Sequence, residues 1–135
     1  MREIKFRAKE LGTGKWVQGD LHILCTRPHI HHMLYIPDKS YIDLSTIGQF
    51  TGLRDKNGKE IYEGDIIRSF DSKGEPIIHY LLYDNEEAGF VAVLKGGAKG
   101  DFGYGKCYQQ WITECDKEVI GNIHDNPELL KQNHE

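Results

Sequence analysis

No long hydrophobic run occurs anywhere in the 135 residues. Crossing a bilayer as a helix takes roughly 20 consecutive apolar residues, so no membrane span is expected. The opening decapeptide, Met1 to Glu10, has no apolar h-region, and no secretory leader is expected. Cysteine is scarce and unpatterned. Cys25, Cys107 and Cys115 form no C-x-x-C pair, which speaks against a disulfide framework or a zinc ribbon and for reduced thiols in the cytoplasm. An excess of either charge is also missing. Seventeen basic and 21 acidic residues give a net charge of −4. That balance supplies no strong field for nucleic acid or anionic lipid, although a local basic patch stays open.

What is present is a β pattern. Apolar residues make up 39% of the chain and are spread along most of it, as in a folded domain. The length suits one domain, residues 1–135, or two small intertwined β subdomains. A chain of this size buries roughly two-thirds of its unfolded surface. Ile4, Phe6 and Ala8 alternate with Lys5, Arg7 and Lys9, the period of a half-buried strand. Trp16 to Leu24 reads as a second extended run. Thr26 to His32 reads as a loop, since Pro28 interrupts ladder pairing. Met33–Ile36, Tyr41–Thr46, Ile77–Tyr83, Gly89–Leu94 and Lys117–Ile123 read as further strands, with a strand or irregular piece near Tyr108–Thr113.

The densest local signal lies between Gly48 and Ile67. Asp55-Lys56-Asn57-Gly58 is turn chemistry: Asp bonds nearby backbone, and Asn and Gly tolerate positive φ. A type I turn with a G1 bulge at Gly58 and a type I′ turn at Asn57-Gly58 both fit. Glu63-Gly64-Asp65 makes a second reversal before Ile66 and Ile67. Burial is expected for Ile61 and at least one of that pair. At the end of the chain, Asn126 can cap, Pro127 suits a first helical position and Glu128 favours the positive end of the dipole, which predicts a short helix. Gly19-Asp20, Gly64-Asp65 and Gly121-Asn122 echo one another, as turns do at the corners of small SH3-like barrels. The five glycines from Gly96 to Gly105 read as a mobile loop.

These segments, taken in order, resemble the YopX protein family of bacterial phages and mobile elements. Ile4–Ala8 is similar to its first strand and Trp16–Leu21 to its second. Gly48–Leu53 with Asp55–Ile67 is similar to its central signature, and Glu118–Leu130 to its closing segment. The resemblance implies an all-β, complex fold of intertwined small barrel-like subdomains with a short C-terminal helix, and a phage or prophage origin. It brings no catalytic residues with it.

The residues themselves supply few chemical candidates. Gly100, Gly105 and Lys106 meet the G-x-x-x-x-G-K spacing, but Cys107 stands where a hydroxyl must bind Mg²⁺. A Gly-rich loop is the simpler account. His29 and His31 share a strand face if extended, and a metal would need further ligands, for example Cys25, His79 or Asp38. Cys25 with His22 or His29 lacks an orienting third group. Trp16, Tyr35, Phe50, Tyr62, Tyr104, Tyr108 and Trp111 read mostly as core.

The preferred function is therefore a non-catalytic accessory protein of a mobile element. It would act through protein–protein contacts with a host or phage protein, as a homo-oligomer, without a cofactor and without a membrane. The first alternative is a nucleic-acid-binding β-barrel module using Arg54, Lys56, Lys59 and Tyr62, extended by Lys95, Lys99 and Lys106. The second is a metal-dependent hydrolase built on the His29/His31 region.

Overall fold

The structure, a computed structural model, describes residues 3–26, 29–36, 38–85, 89–94 and 117–131; at 23–26, 29–36, 38–39 and 84 it gives backbone alone. The described chain is all-β, with one turn of 3-10 helix near its end. It divides into two compact units, Met1–Gly52 and Leu53–Glu135.

In the first unit, β1 (Phe6–Glu10), β2 (Trp16–Thr26), β3 (His29–Ile36) and β4 (Asp38–Arg54, which runs on past Gly52) are joined by antiparallel pairings. β1 pairs with β2, β2 with β3 and β3 with β4; β4 then returns to β1, with Phe6 opposite Gln49 and Arg7 opposite Gly48. These pairings close a ring, as in a small barrel, which removes the open edge a flat sheet would present. The β1–β4 register slips between Arg7 and Lys9. Thr46 fills the gap: its Oγ1 accepts the Lys9 N–H at 2.8 Å and donates to the Asp43 carbonyl at 2.6 Å. Alternation along β1 buries Ala8 against Ile42, with Phe6, Val17, Leu21 and Ile47 packed around them.

One sequence expectation fails in this unit. His29 to His32 belong to β3, with His29 opposite Thr26 and His32 opposite Ile23, not to a loop. β3 begins at His29; Pro28 lies outside the described residues.

In the second unit, β5 (Glu60–Tyr62) follows the turn after β4. β6 (Asp65–Phe70), β7 (Pro76–Asp84), β8 (Gly89–Leu94) and β9 (Glu118–Asn122) form an antiparallel sheet of order β8-β7-β6-β9. Its core gathers Leu53, Ile61, Ile67, Leu81, Val91, Ala92, Val93 and Val119. Successive strand residues face opposite sides, and Ile66 and Ile67 are each 0% exposed. At Ile66 and Ile67, β6 is therefore shut to water on both faces. Complete burial of each such side chain contributes roughly 1.5–3 kcal/mol.

Both predicted reversals are present. Gly58 has φ +81° and Gly64 has φ +91°. Gly58 N–H donates to the Asp55 carbonyl at 3.0 Å and Asp55 N–H to the Lys59 carbonyl at 2.8 Å. That places Lys56 and Asn57 at the centre of a type I turn closed by a left-handed Gly, the first of the two geometries the sequence allows. The Gly-Asx echo does not mark a shared turn: Gly19 lies inside β2 and Gly121 inside β9. The helix is shorter than its signals suggest, a single 3-10 turn over Pro127–Leu130, and Asn126 makes no side-chain cap bond to it. Its Oδ1 instead accepts the Asn122 N–H at 3.2 Å.

Candidate functional site

Polar chemistry in the second unit concentrates at the β4–β5 turn. Asp55 Oδ1 accepts the N–H groups of Asn57 and Lys59 at 2.8 and 2.9 Å, and Oδ2 accepts the Val119 N–H at 3.0 Å. The Lys56 N–H adds a bond to the Lys117 carbonyl at 3.0 Å. Burial alone would raise the Asp55 carboxyl. The amides of Val119, Lys59 and Asn57, aided by the Lys59 charge, outweigh it and hold the group below its usual value. Beside the turn, Glu118 accepts from Arg68 at 2.9 Å and sits 3.5 Å from Lys56 Nζ. The Arg68 hydrogen bond leads in lowering the Glu118 pKa, with Lys56 contributing. This cluster fastens the hairpin tip to β9.

The same turn has a twin at Asp71–Pro76, a stretch that also reads as a turn in the sequence. Asp71 accepts the N–H groups of Lys73 and Glu75 at 2.8 and 2.9 Å, and its carbonyl takes the Gly74 N–H at 3.0 Å. Gly74 has the φ of Gly58, +81°. The signal was the Asp-x-x-Gly spacing common to both turns. Asp55 differs only in reaching a distant strand.

The four residues expected of a nucleic-acid surface do gather on this hairpin. Arg54, however, lies 3.5 Å from Glu60, and Lys56 has Glu118 beside it. Lys59 is exposed. Tyr62 is 2% exposed with its hydroxyl 3.3 Å from Glu60 Oε1, leaving no open ring face for a base. Lys95, Lys99 and Lys106, the P-loop-like Gly100–Cys107 and the rings of Tyr104, Tyr108 and Trp111 lie outside the described residues.

A second cluster, on the first unit, was legible only in part. The alternation that sends Phe6 and Ala8 inward places Lys5, Arg7 and Lys9 on the other face of β1. Lys9 stands opposite Trp16 in register. The Arg7 guanidinium lies 4.9 Å and the Lys9 ammonium 5.6 Å from the Trp16 ring, and Lys5 lies 5.0 Å from the Phe50 ring. These are cation–π distances. Acidic neighbours temper the row: Glu3 pairs with Lys5 at 3.1 Å, and Asp43 stands opposite Lys9.

His79 is 1% exposed in the second core. Burial first, and the Lys117 charge second, push its pKa down to about 4, so the imidazole is neutral at pH 7. His29 and His31 sit two apart on β3; Cys25 stands opposite Ile30, and His22 opposite Met33. Among the described residues no three His, Cys, Asp or Glu side chains are grouped to hold a metal ion. Nor, among them, is any helix long and apolar enough to cross a membrane.

Comparison with known proteins agrees with this fold. The model of a family described as YopX protein matches residues 5–131. Among solved structures, the crystal structure of protein EF1440 from Enterococcus faecalis is similar, at 24% identity and a TM-score of 0.55. The match covers 97% of this chain and 100% of that one. At that identity the likeness speaks for the fold alone. No curated protein matches the chain.

Proposed function

Because the chain belongs to the YopX protein family, we propose that it is a non-enzymatic accessory protein of a phage or mobile element, working in the bacterial cytoplasm through protein–protein contact and as a homo-oligomer. The observation that carries this reading is apolar surface left open on the first unit. Leu11 is 58% exposed, Leu44 45% and Tyr41 40%. Leu11 and Tyr41 are neighbours, joined by a Leu11 N–H bond to the Tyr41 carbonyl at 2.9 Å. Apolar side chains standing open together are what a partner covers. The polar groups of the second unit, by contrast, have structural employment: Asp55 on three amides, Asp65 on the Tyr62 N–H at 2.7 Å and Glu118 on Arg68.

The test is light scattering coupled to size exclusion, followed by affinity capture from phage-induced host cells. An oligomer, with a partner lost on Leu11→Asp/Tyr41→Asp, supports the reading. A 15.5 kDa monomer at tens of micromolar that captures nothing sinks it.

The β1 row favours a second reading, a module for single-stranded nucleic acid, with bases stacking beside Trp16 and phosphates on Lys5, Arg7 and Lys9. Filter binding at low salt decides it. Affinity that falls steeply with salt and is lost in Arg7→Ala/Trp16→Ala supports it, and no binding at low salt removes it.

A further inference from the structure

We propose that Asn57 is a self-modification site, where the chain turns its own side-chain amide into a carboxylate and so loosens the clasp between the β4–β5 turn and β9. The reaction is cyclisation onto the next residue. The Gly58 nitrogen gives its proton to solvent base and attacks Cγ of Asn57. The N–Cγ bond forms, the Cγ–Nδ2 bond breaks, and Nδ2 leaves as ammonia. Water then opens the five-membered imide. Addition at Cγ leaves an aspartate at position 57. Addition at the main-chain carbonyl leaves an isoaspartate, whose backbone is one atom longer. Water is the one co-reactant.

Sequence and fold meet at this position. Of the asparagines at 57, 85, 122, 126 and 133, only Asn57 precedes a glycine, the residue with no Cβ to crowd the attacking nitrogen. Asn57 and Gly58 are both exposed. A Cβ built on Gly58 meets nothing within 4 Å, so the imide has room to form and water can reach it. The asparagines near β9 are held differently. Asn122 Oδ1 accepts the N–H groups of His124 and Asp125 at 3.0 and 2.9 Å. Asn126 precedes Pro127, which has no N–H to lose.

The clasp sets the rate. The Gly58 N–H donates to the Asp55 carbonyl at 3.0 Å. The amides on either side of it, those of Asn57 and Lys59, both donate to Asp55 Oδ1. The attacking nitrogen must leave its hydrogen bond before it reaches Cγ, so the reaction runs through the opened turn. Where opening is fast, the rate follows the open population. The product acts back on the clasp. The extra atom of an isoaspartate falls between the two amides that share Oδ1, and either product sets a new negative charge beside the Asp55 carboxylate. Oδ2 of that carboxylate holds the Val119 N–H, so β9 loosens with the turn.

The twin turn supplies the control. Lys73 stands ahead of Gly74 as Asn57 stands ahead of Gly58, in the same bonding pattern and at the same glycine φ. The full chain is incubated at mildly alkaline pH. Peptide mass spectrometry then locates each amide-to-acid exchange, and isoaspartate-specific methyl transfer identifies the longer backbone. Asn57 should convert ahead of every other asparagine, and Asn57→Gln should abolish that conversion. Lys73→Asn should create a second site that reacts faster than Asn57, since Asp71 has no distant strand to hold among the described residues. Asp55→Ala should speed conversion at Asn57 by roughly tenfold or more, because three bonds no longer keep the turn closed. Isoaspartate chains, separated by charge, should lose hydrogen-exchange protection at the Val119 amide. An Asn57 amide that persists, or converts no sooner than the others, overturns the site. Equal rates at Asn57 in the native chain and in urea overturn the control by the clasp. Native protection at Val119 in isoaspartate chains overturns the loosening. If Asp55→Ala fails to fold, Lys73→Asn decides: a rate at position 73 no higher than at Asn57 overturns the control by the clasp.

Discussion

The backbone N–H of Val119 donates to Oδ2 of Asp55 at 3.0 Å, across 64 residues of chain. One carboxylate thereby shapes its own turn and holds an edge of the second sheet. Asp71 shapes an equivalent turn without a distant partner among the described residues, and the pair makes an internal control.

Asp55→Ala should destabilise the second unit by about 3 kcal/mol, because it removes three charge-assisted bonds and leaves the Val119 amide buried without an acceptor. Asp71→Ala, in an exposed turn, should cost about 1 kcal/mol or less. Urea denaturation of the two variants checks the ranking. Equal losses would mean that the bond to Val119 contributes nothing.

His79 should make the fold acid-sensitive well above the carboxylate range. Its folded pKa is about 4 against an ordinary 6.5. Between those values the unfolded chain binds a proton that the folded chain rejects, so stability falls as pH drops from 6.5 towards 4. The loss amounts to about 3 kcal/mol at most. Asp55 and Glu118 act lower. Their depressed values contribute stability that is complete above the ordinary carboxylate pKa and is lost as pH falls through the folded one. Urea midpoints measured across this range should slope in the native chain and flatten in His79→Gln. Identical slopes would show that His79 does not titrate with unfolding.

Gly58→Val and Gly74→Val should cost similar amounts, on the order of 1–3 kcal/mol each, from left-handed strain. A Cβ at either position meets nothing within 4 Å, so strain acts alone. Gly64→Val should cost more. Gly64 N–H donates to the Leu81 carbonyl at 2.7 Å, its carbonyl accepts from Ile123 at 2.8 Å, and a Cβ there would stand 3.6 Å from Ile123 Cγ1. Thermal melts of the three variants give the order, and a harmless Gly58→Val would remove the turn assignment.

Gly121→Ala should be destabilising for a different reason. Its Cβ would lie 2.5 Å from Asn126 Oδ1, closer than any real contact. The damage should shrink in an Asn126→Gly background, where that side chain is gone, although the second change also removes the acceptor of the Asn122 N–H. A double-mutant cycle reads the coupling. Additive losses would place the constraint elsewhere.

The strands and both Gly turns were readable because turn residues and period-two alternation act locally. The central hairpin, the reversal at Gly64 and the burial of Ile61, Ile66 and Ile67 all follow from neighbours in sequence. What the sequence hid depends on distant partners. The bond from Val119 to Asp55 has no local trace. Asn126 had every mark of a helix cap, yet it serves β9, because the Asn122 amide lies within its reach. The cations of β1 were visible as the polar half of an alternating strand, but their stacking on Trp16 needed the β1–β2 register. The stretch His29–His32 reads as a loop in the sequence and is strand in the fold, because its pairing with Ile23–Thr26 is set by the β2–β3 register.

The closed ring of the first unit also dictates an order of assembly. The β2–β3 hairpin joins Thr26 to His29 at once and can zip toward Asp20 and Tyr35, on the microsecond scale of hairpins. The β1–β4 seam cannot start that way. It must bring Phe6 to Gln49 after the intervening strands have taken their places, and the entropy of closing that loop is lost before any seam bond returns it. Seam contacts should therefore form late. A destabilising change at Thr46, whose hydroxyl bridges the seam, should speed unfolding and leave the folding rate nearly untouched.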